Sequence, residues 1–212
     1  MAELKERIIQ SSLDLFEKHG YHGVSINQIV EHCGASKGGF YHYFHSKDEL
    51  LYVIHDTFIT YVLDKANQAK ETYQAPTDQL QAIVHSFVRV FDLYKAHIYV
   101  FYQESTYLKP HYEELIKKKR DQFKQNIFEV IRKGQDAGEF RNELPPEIAG
   151  MALLGMVNWT YKWYRREGEK PIDEIASIYV DIILHAFLTS EEMNKDTNQE
   201  YFLKEAFLFD ND

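Results

Sequence analysis

The sequence predicts an all-α chain, and three observations predict it. Apolar residues recur at spacings of three and four along nearly every segment. No stretch keeps the period-2 alternation of a half-buried strand. The five prolines and ten glycines fall mostly between the apolar-periodic segments, where they punctuate helices. There is no internal repeat. At 212 residues the chain suits one domain of ordinary size, or one small unit plus a larger one.

The elements follow in order. In "LKERIIQSSLDLFEKHG", Ile8, Ser12, Leu15 and Phe16 share one face with charge opposite, and Gly20 is placed as the stop. "VSINQIVEHCG" gives a second helix. Ser25 is its N-cap, Gln28 three residues on completes a capping box, and Gly34 ends it. Ser36 caps a third, very short helix ending near Phe44. Ser46 and Glu49 form another capping box and open a long fourth helix, in which Leu50, Leu51, Ile54, Phe58 and Val62 keep helical spacing. After "QAPTD", residues Leu80, Ile83, Val84, Phe87, Val88 and Phe91 make one stripe. "AHIYVFYQESTYL" is shorter and aromatic. Pro110 fits the first position of a long helix running to about Gly134. "GEFRNELPP" reads as a loop, and Pro146 and Pro171 open helices over 146–165 and 171–189. The extension 190–212 carries Tyr201, Phe202, Leu203, Phe207, Leu208 and Phe209. Their spacing predicts a short amphipathic helix docked on the rest of the chain, with a frayed terminus as the alternative.

Composition narrows the function classes. The net charge is −9, which argues against nonspecific binding to nucleic acid or anionic membranes. No apolar run reaches membrane-spanning length, and "MAELKERIIQ" lacks the apolar region of a signal peptide. One cysteine, Cys33, cannot form an internal disulfide, so a reduced, cytoplasmic setting is expected. There is no phosphate-binding glycine loop, zinc-protease pair or nucleophile elbow, so no catalytic residue and no cofactor is assigned. The pairs His19 with His22 and His42 with His45 each straddle a predicted helix end. No cysteine or carboxylate cluster completes four ligands around them, so solvent-facing or DNA-facing histidines are favoured over a metal site.

"GASKGGFYHYFHSKDEL", residues 34–50, carries the most information. Two adjacent glycines, Gly38 and Gly39, stand where a helix begins, although each costs about 1 kcal/mol in a helix interior. Two short helices joined by a tight turn and braced by a first helix form a helix-turn-helix, whose second helix enters the DNA major groove. Glycines at its start permit close approach. Phe40 and Phe44 belong to the inner face, while Lys37, Tyr41 and His42 point outward. Residues 1–55 hold five Lys/Arg against seven Asp/Glu, so binding would rest on a few well-placed contacts. A ligand-binding or adaptor module with a vestigial helix-turn-helix is the alternative.

Over residues 4–52 the sequence resembles the TetR family of transcriptional regulators. Phe16 and Gly20 match its F-x-x-x-G stretch, and "SINQIV" and "GASKGGFYHYFHSKDELL" follow its pattern. The resemblance implies an N-terminal DNA-binding domain, 1–50, in which Ser25, Lys37, Tyr41 and Lys47 contact phosphate. It also implies that Gly38, Gly39 and His42 approach bases, beside the N-cap Ser36. Gly39 departs from the family's usual Thr, Ser or Ala. The implied second domain, 51–189, binds a small effector and dimerises through 146–165 and 171–189, giving a homodimer on a double-stranded operator. "GMVNWTYKWYRREGEKPIDEIASIYVDIIL" further resembles members that answer to acyl-coenzyme A thioesters in lipid degradation. Candidate effector contacts are Phe101 and Tyr102, with Trp159, Lys162, Trp163 and Arg166 of "NWTYKWYRR". For the last four, an aromatic dimer interface with snorkelling basic ends is the alternative. Ala149, Gly150, Ala152 and Gly155 would let a partner helix come close. "KKKR", residues 117–120, spans more than one helical turn, so it reads as a solvated face or as one or two groups meeting a coenzyme A phosphate.

Overall fold

The computed structural model describes residues 2–203, and its elements there are helices. They are α1 (Ala2–His19), α2 (Ile26–His32), α3 (Lys37–Tyr43), α4 (Lys47–Thr72), α5 (Pro76–Leu93), α6 (Lys95–Glu104), α7 (Pro110–Asp136), α8 (Pro146–Asn158), α9 (Thr160–Trp163), α10 (Ile172–Phe187) and α11 (Ser190–Met193). Short 3₁₀ turns occupy Ser105–Tyr107 and Asp196–Tyr201. The chain packs as two units. One holds the residues up to Leu63 together with Val90–Gln122, and the other holds Asp64–Arg89 and the described residues from Phe123 on. These packing units cut the chain differently from the functional division predicted at residues 50 and 189, because α4, α5 and α7 are long enough to contribute to both.

In the first unit α1 buries Ile8, Ile9, Ser12, Leu13 and Phe16. Leu13 replaces the predicted Leu15, which stays half-buried, because the stripe follows the i, i+4, i+5 and i+8 row from Ile8. Gly20 and Gly34 end α1 and α2 with φ of 68° and 64°, the conformation expected of a terminal glycine. Ile29, Phe40, Phe44, Leu50, Leu51 and Ile54 complete a core with no exposed surface. At seven residues each, α2 and α3 are too short to persist without that packing.

In the second unit Phe87 meets Phe123 edge-on at 4.9 Å, and Phe140 meets Phe187 at 6.2 Å. The predicted stop at Gly134 is corrected. α7 continues to Asp136, and Gly138, at φ 76°, makes the turn. Gly134 is instead a close-approach residue: a Cβ there would fall 2.1 Å from Cδ2 of the buried Phe140. The predicted 146–165 helix is also corrected. α8 ends at Asn158, the chain tightens at Trp159 with an i+3 bond from the Lys162 amide to the Trp159 carbonyl (3.0 Å), and α9 stops at Trp163 where Tyr164 turns extended. Gly150 is buried in its own unit, its Cβ position 2.5 Å from the Phe128 ring, so only Gly155 of the two helix glycines is open.

The extension docks as far as residue 203. Asn198 is buried and donates to the Glu192 carbonyl (2.8 Å), Tyr201 donates to Asp78 (2.8 Å), and Phe202 lies 4.5 Å from His185. The Leu203 amide donates to Asp181 (3.0 Å). Residues 196–201 form a 3₁₀ turn, while Phe207, Leu208 and Phe209 of the predicted helix lie outside the described residues.

Candidate DNA-binding surface and effector-contact residues

Each helix of the helix-turn-helix is started by a side chain that its sequence supplies. The Gln28 amide donates to Ser25 Oγ (3.3 Å), and the Ser25 amide donates back to Gln28 Oε1 (2.8 Å). The Gly39 amide donates to Ser36 Oγ (3.0 Å). At the start of α4 the Glu49 amide donates to Ser46 Oγ (3.1 Å), while the Glu49 carboxylate accepts from the His45 amide (2.6 Å), one residue before the expected cap.

α3 divides as its pattern predicts. Phe40 and Phe44 are fully buried, 5.6 Å apart, while Lys37, Gly38, Tyr41 and His42 are exposed. Gly38 has no internal reason to be glycine. A Cβ there would meet only Ser36 Oγ, at an ordinary 3.7 Å. Gly39 is half-buried, and its Cβ position lies 3.3 Å from the end of the Leu4 side chain of α1, which would have to give by a few tenths of an ångström to admit a methyl.

Lys47, which the resemblance assigns to phosphate, is engaged within the molecule. Its ammonium donates to the carbonyls of Tyr21 (2.8 Å) and Val24 (2.6 Å) and lies 4.2 Å from the Tyr21 ring centroid. Burial lowers its pKa, with the Asp48 charge pulling the other way. The lysine thus ties the α1–α2 loop to the start of α4. Beside it, Tyr21 donates to Asp48 (2.6 Å), which also pairs with Lys109 (2.7 Å). Hydrogen bonds from Lys109 and Tyr21 hold the Asp48 carboxyl below its usual range, and burial with the Asp48 bond pushes the Tyr21 phenol well up. Tyr107 stacks on Tyr21 at 5.9 Å, and His22 sits edge-on to Tyr107 at 4.2 Å. The α6–α7 junction is therefore fastened to the helix-turn-helix through Tyr21 and Asp48. Sequence reading missed this link because its contacting pairs lie 27 to 86 residues apart.

The predicted effector contacts fall in two groups. Phe101 and Tyr102 belong to the first unit, where Phe101 packs against Phe58 (5.1 Å), His55 (5.1 Å) and Tyr102 (5.3 Å). Trp159, Lys162, Trp163 and Arg166 belong to the second. There Trp159 and Trp163 are exposed and Lys162 lies 4.8 Å from the Tyr161 ring. Of "KKKR", Lys117 and Lys118 are exposed, Lys119 donates to Asp56 (2.5 Å) and Thr60 (2.7 Å), and Arg120 lies 5.8 Å from the Phe101 ring. Among the described residues no three His, Cys, Asp or Glu draw together as metal ligands, and no helix is long and apolar enough to cross a membrane.

Two family models match the chain. "Bacterial regulatory proteins, tetR family" covers residues 8–53, and "Tetracyclin repressor-like, C-terminal domain" covers 73–187, more than half of the sequence. The chain belongs to the TetR family. It is a DNA-binding transcriptional regulator and not an enzyme. Among similar proteins, the HTH-type transcriptional repressor KstR2 of Mycolicibacterium smegmatis is 18% identical over 192 residues, 90% of this chain and 93% of that one. The TetR-family regulator PfmR of Thermus thermophilus has the same fold, with a TM-score of 0.77 and 29% identity, covering 84% of this chain and 97% of that one. AibR, solved in complex with isovaleryl coenzyme A and operator DNA, superposes with a TM-score of 0.71 and 21% identity over 84% of this chain and 97% of its own.

Proposed function

We propose that this TetR-family regulator is a cytoplasmic homodimeric repressor that leaves a palindromic operator when a small effector, an acyl-coenzyme A thioester of lipid metabolism, binds. The observation that carries the DNA-binding half is the exposed row on α3: Lys37, Gly38, Tyr41 and His42 face outward, and Gly38 lacks a side chain that nothing inside the molecule would obstruct. Lys37 and Tyr41 are assigned to phosphate, with Ser25 and Ser36 at the helix starts. Gly38, Gly39 and His42 are assigned to base approach. Lys47 is assigned to holding the α1–α2 loop.

Dimerisation is assigned to 146–165 and 171–189. Ile148, Met151 and Gly155 form one exposed row along α8, continued by Trp159 at its C-terminal cap, and Ile182 is exposed on α10. Apolar residues so disposed on helices call for a partner surface. Two-fold symmetry would then set the reading helices about 34–36 Å apart, one DNA turn. Functionally, 1–50 reads DNA, 51–189 binds effector and partner, and 190–212 is an extension braced on the second unit.

The thioester reading is supported by resemblance in the C-terminal half and by likeness of fold to a protein captured with isovaleryl coenzyme A. Release of DNA upstream of the protein's own gene, followed by gel shift across a series of acyl-coenzyme A thioesters and free coenzyme A, tests it. Selective release by one chain length supports the reading. Unchanged binding with every thioester sinks it.

A further inference from the structure

Within the first unit, α4, α6 and α7 gather a buried polar atom and a group of rings. His55 is fully buried on α4. Its Nδ1 lies 2.8 Å from the carbonyl oxygen of Leu51, one turn earlier. A carbonyl only accepts, so Nδ1 carries the proton and Nε2 presents a bare lone pair. Nε2 is buried, and none of the described residues hydrogen-bonds to it. Unmet buried acceptors are destabilising and uncommon in folded proteins.

The side chains around the imidazole are aromatic. Phe101 faces the imidazole at 5.1 Å and meets Phe58 edge-on at 5.1 Å. The Arg120 guanidinium lies 5.8 Å from the centre of the same Phe101 ring, and the residue is exposed. The neighbouring Lys119 is committed to Asp56 and Thr60. Burial pushes both His55 and His97 down to about 4, so neither imidazole brings charge at neutral pH. A leucine would fill a similar volume at position 55 without an unmet acceptor. Groups that break the packing rules in this way are characteristic of functional positions.

We propose that His55 Nε2 is the polar anchor of the effector site, accepting a hydrogen bond from an O–H or N–H of a largely apolar ligand. Phe58 and Phe101 form its apolar wall, and Arg120 offers a cation at its edge. The inference rests on the reading of an effector-responsive regulator and narrows it. A ligand bearing only acceptors, such as a simple ester, ether or ketone, does not satisfy Nε2. A coenzyme A thioester does so through a pantetheine amide N–H, because the thioester group itself has no donor.

The test compares full-length wild type with His55→Leu and His55→Gln, the glutamine restoring an acceptor oxygen. Thermal unfolding is followed without ligand, with acyl-coenzyme A thioesters of rising length, and with 1-decanol against decyl methyl ether, which lacks the donor. Without ligand, His55→Leu should melt at or above wild type. With a donor-bearing probe, wild type and His55→Gln should bind, while His55→Leu should lose about tenfold in affinity, a difference of about 1.4 kcal/mol. The ether should bind wild type and His55→Leu alike. Two results overturn the proposal. One is ligand-free His55→Leu melting well below wild type, which would mean that water already meets Nε2 in the free protein. The other is His55→Leu binding the donor probes as tightly as wild type. Should 1-decanol alone bind wild type, and bind His55→Leu about tenfold more weakly, the thioester reading fails and the His55 anchor stands. Should no probe bind, the thioester reading again fails and the ligand-free melting comparison decides on His55.

Discussion

Lys37 and Lys47 lie ten residues apart, and the structure gives them different surroundings: Lys37 is exposed, while Lys47 donates to two loop carbonyls. Lys47→Met removes the ammonium and keeps most of the stem. Two carbonyls, Tyr21 at 2.8 Å and Val24 at 2.6 Å, then lose a charged donor. Hydrogen bonds to charged groups contribute about 1.5–3 kcal/mol each. With water reaching part of the site, a combined loss of about 2–4 kcal/mol is expected. A chain of this size loses roughly 2–4 °C in Tm per kcal/mol, so Lys47→Met should melt roughly 4–16 °C lower. Its operator affinity should fall through loosening of the unit, with the slope of log affinity against log salt unchanged. Lys37→Ala should do the reverse. Its side chain is exposed, so Tm should hold, while loss of one phosphate contact flattens the salt slope by about 0.9. Differential scanning fluorimetry and a salt series of fluorescence anisotropy, on both variants, read the two effects separately. A Lys47→Met protein with wild-type Tm and a slope reduced by about one would show that Lys47 meets phosphate and that its carbonyl bonds are incidental.

Three further outcomes follow from the packing. Gly134→Ala places a methyl 2.1 Å from the Phe140 ring, and overpacking of about 1–3 kcal/mol should outweigh the helix-propensity gain of about 1 kcal/mol, lowering Tm by a few degrees; a higher Tm would refute the close approach. Burial holds the folded His55 pKa at about 4 against 6.5 for the free side chain, so below pH 6.5 the unfolded chain takes up a proton that the folded chain refuses. Stability should therefore be complete above about pH 6.5 and decline towards pH 4, with His55 contributing about 3 kcal/mol to the loss. Urea titrations at pH 7 and pH 4 should show a smaller decline in His55→Gln; equal declines would assign the acid sensitivity elsewhere. Truncation after Thr189 removes the contacts of Tyr201, Phe202 and Leu203 and should lower Tm by several degrees, whereas an unchanged Tm would mean the extension is merely attached.

Most helices were legible because their signals are local. Ser25, Ser36 and Ser46 start helices where a hydroxyl precedes an apolar-periodic run, and Gly20 and Gly34 end them. The inward Phe40 and Phe44 and the outward Lys37, Tyr41 and His42 follow from helical spacing alone. What failed depended on distant neighbours. Gly134 looks like a stop until Phe140 is seen folded back against it. Gly150 looks like a residue for a partner helix until Phe128 is found in that space. Lys47 looks like a surface cation until the loop carbonyls of Tyr21 and Val24 curl beneath it. His55 has a weak signal in sequence, a lone histidine on the apolar row of Leu51, Ile54 and Phe58, but only the buried geometry reveals that Nε2 is unmet. The break at Trp159 leaves no mark in composition or spacing.

The central claim is that α3 reads DNA by bringing its own backbone close to the groove. Anisotropy titration of full-length wild type and Gly38→Val against a labelled fragment from upstream of the protein's own gene, with an excess of unrelated DNA, tests it most directly. Gly38→Val should keep its fold, since a Cβ at that position meets nothing inside the molecule closer than 3.7 Å, and should lose sequence-specific binding. A folded Gly38→Val protein that binds the fragment as tightly as wild type would contradict the account.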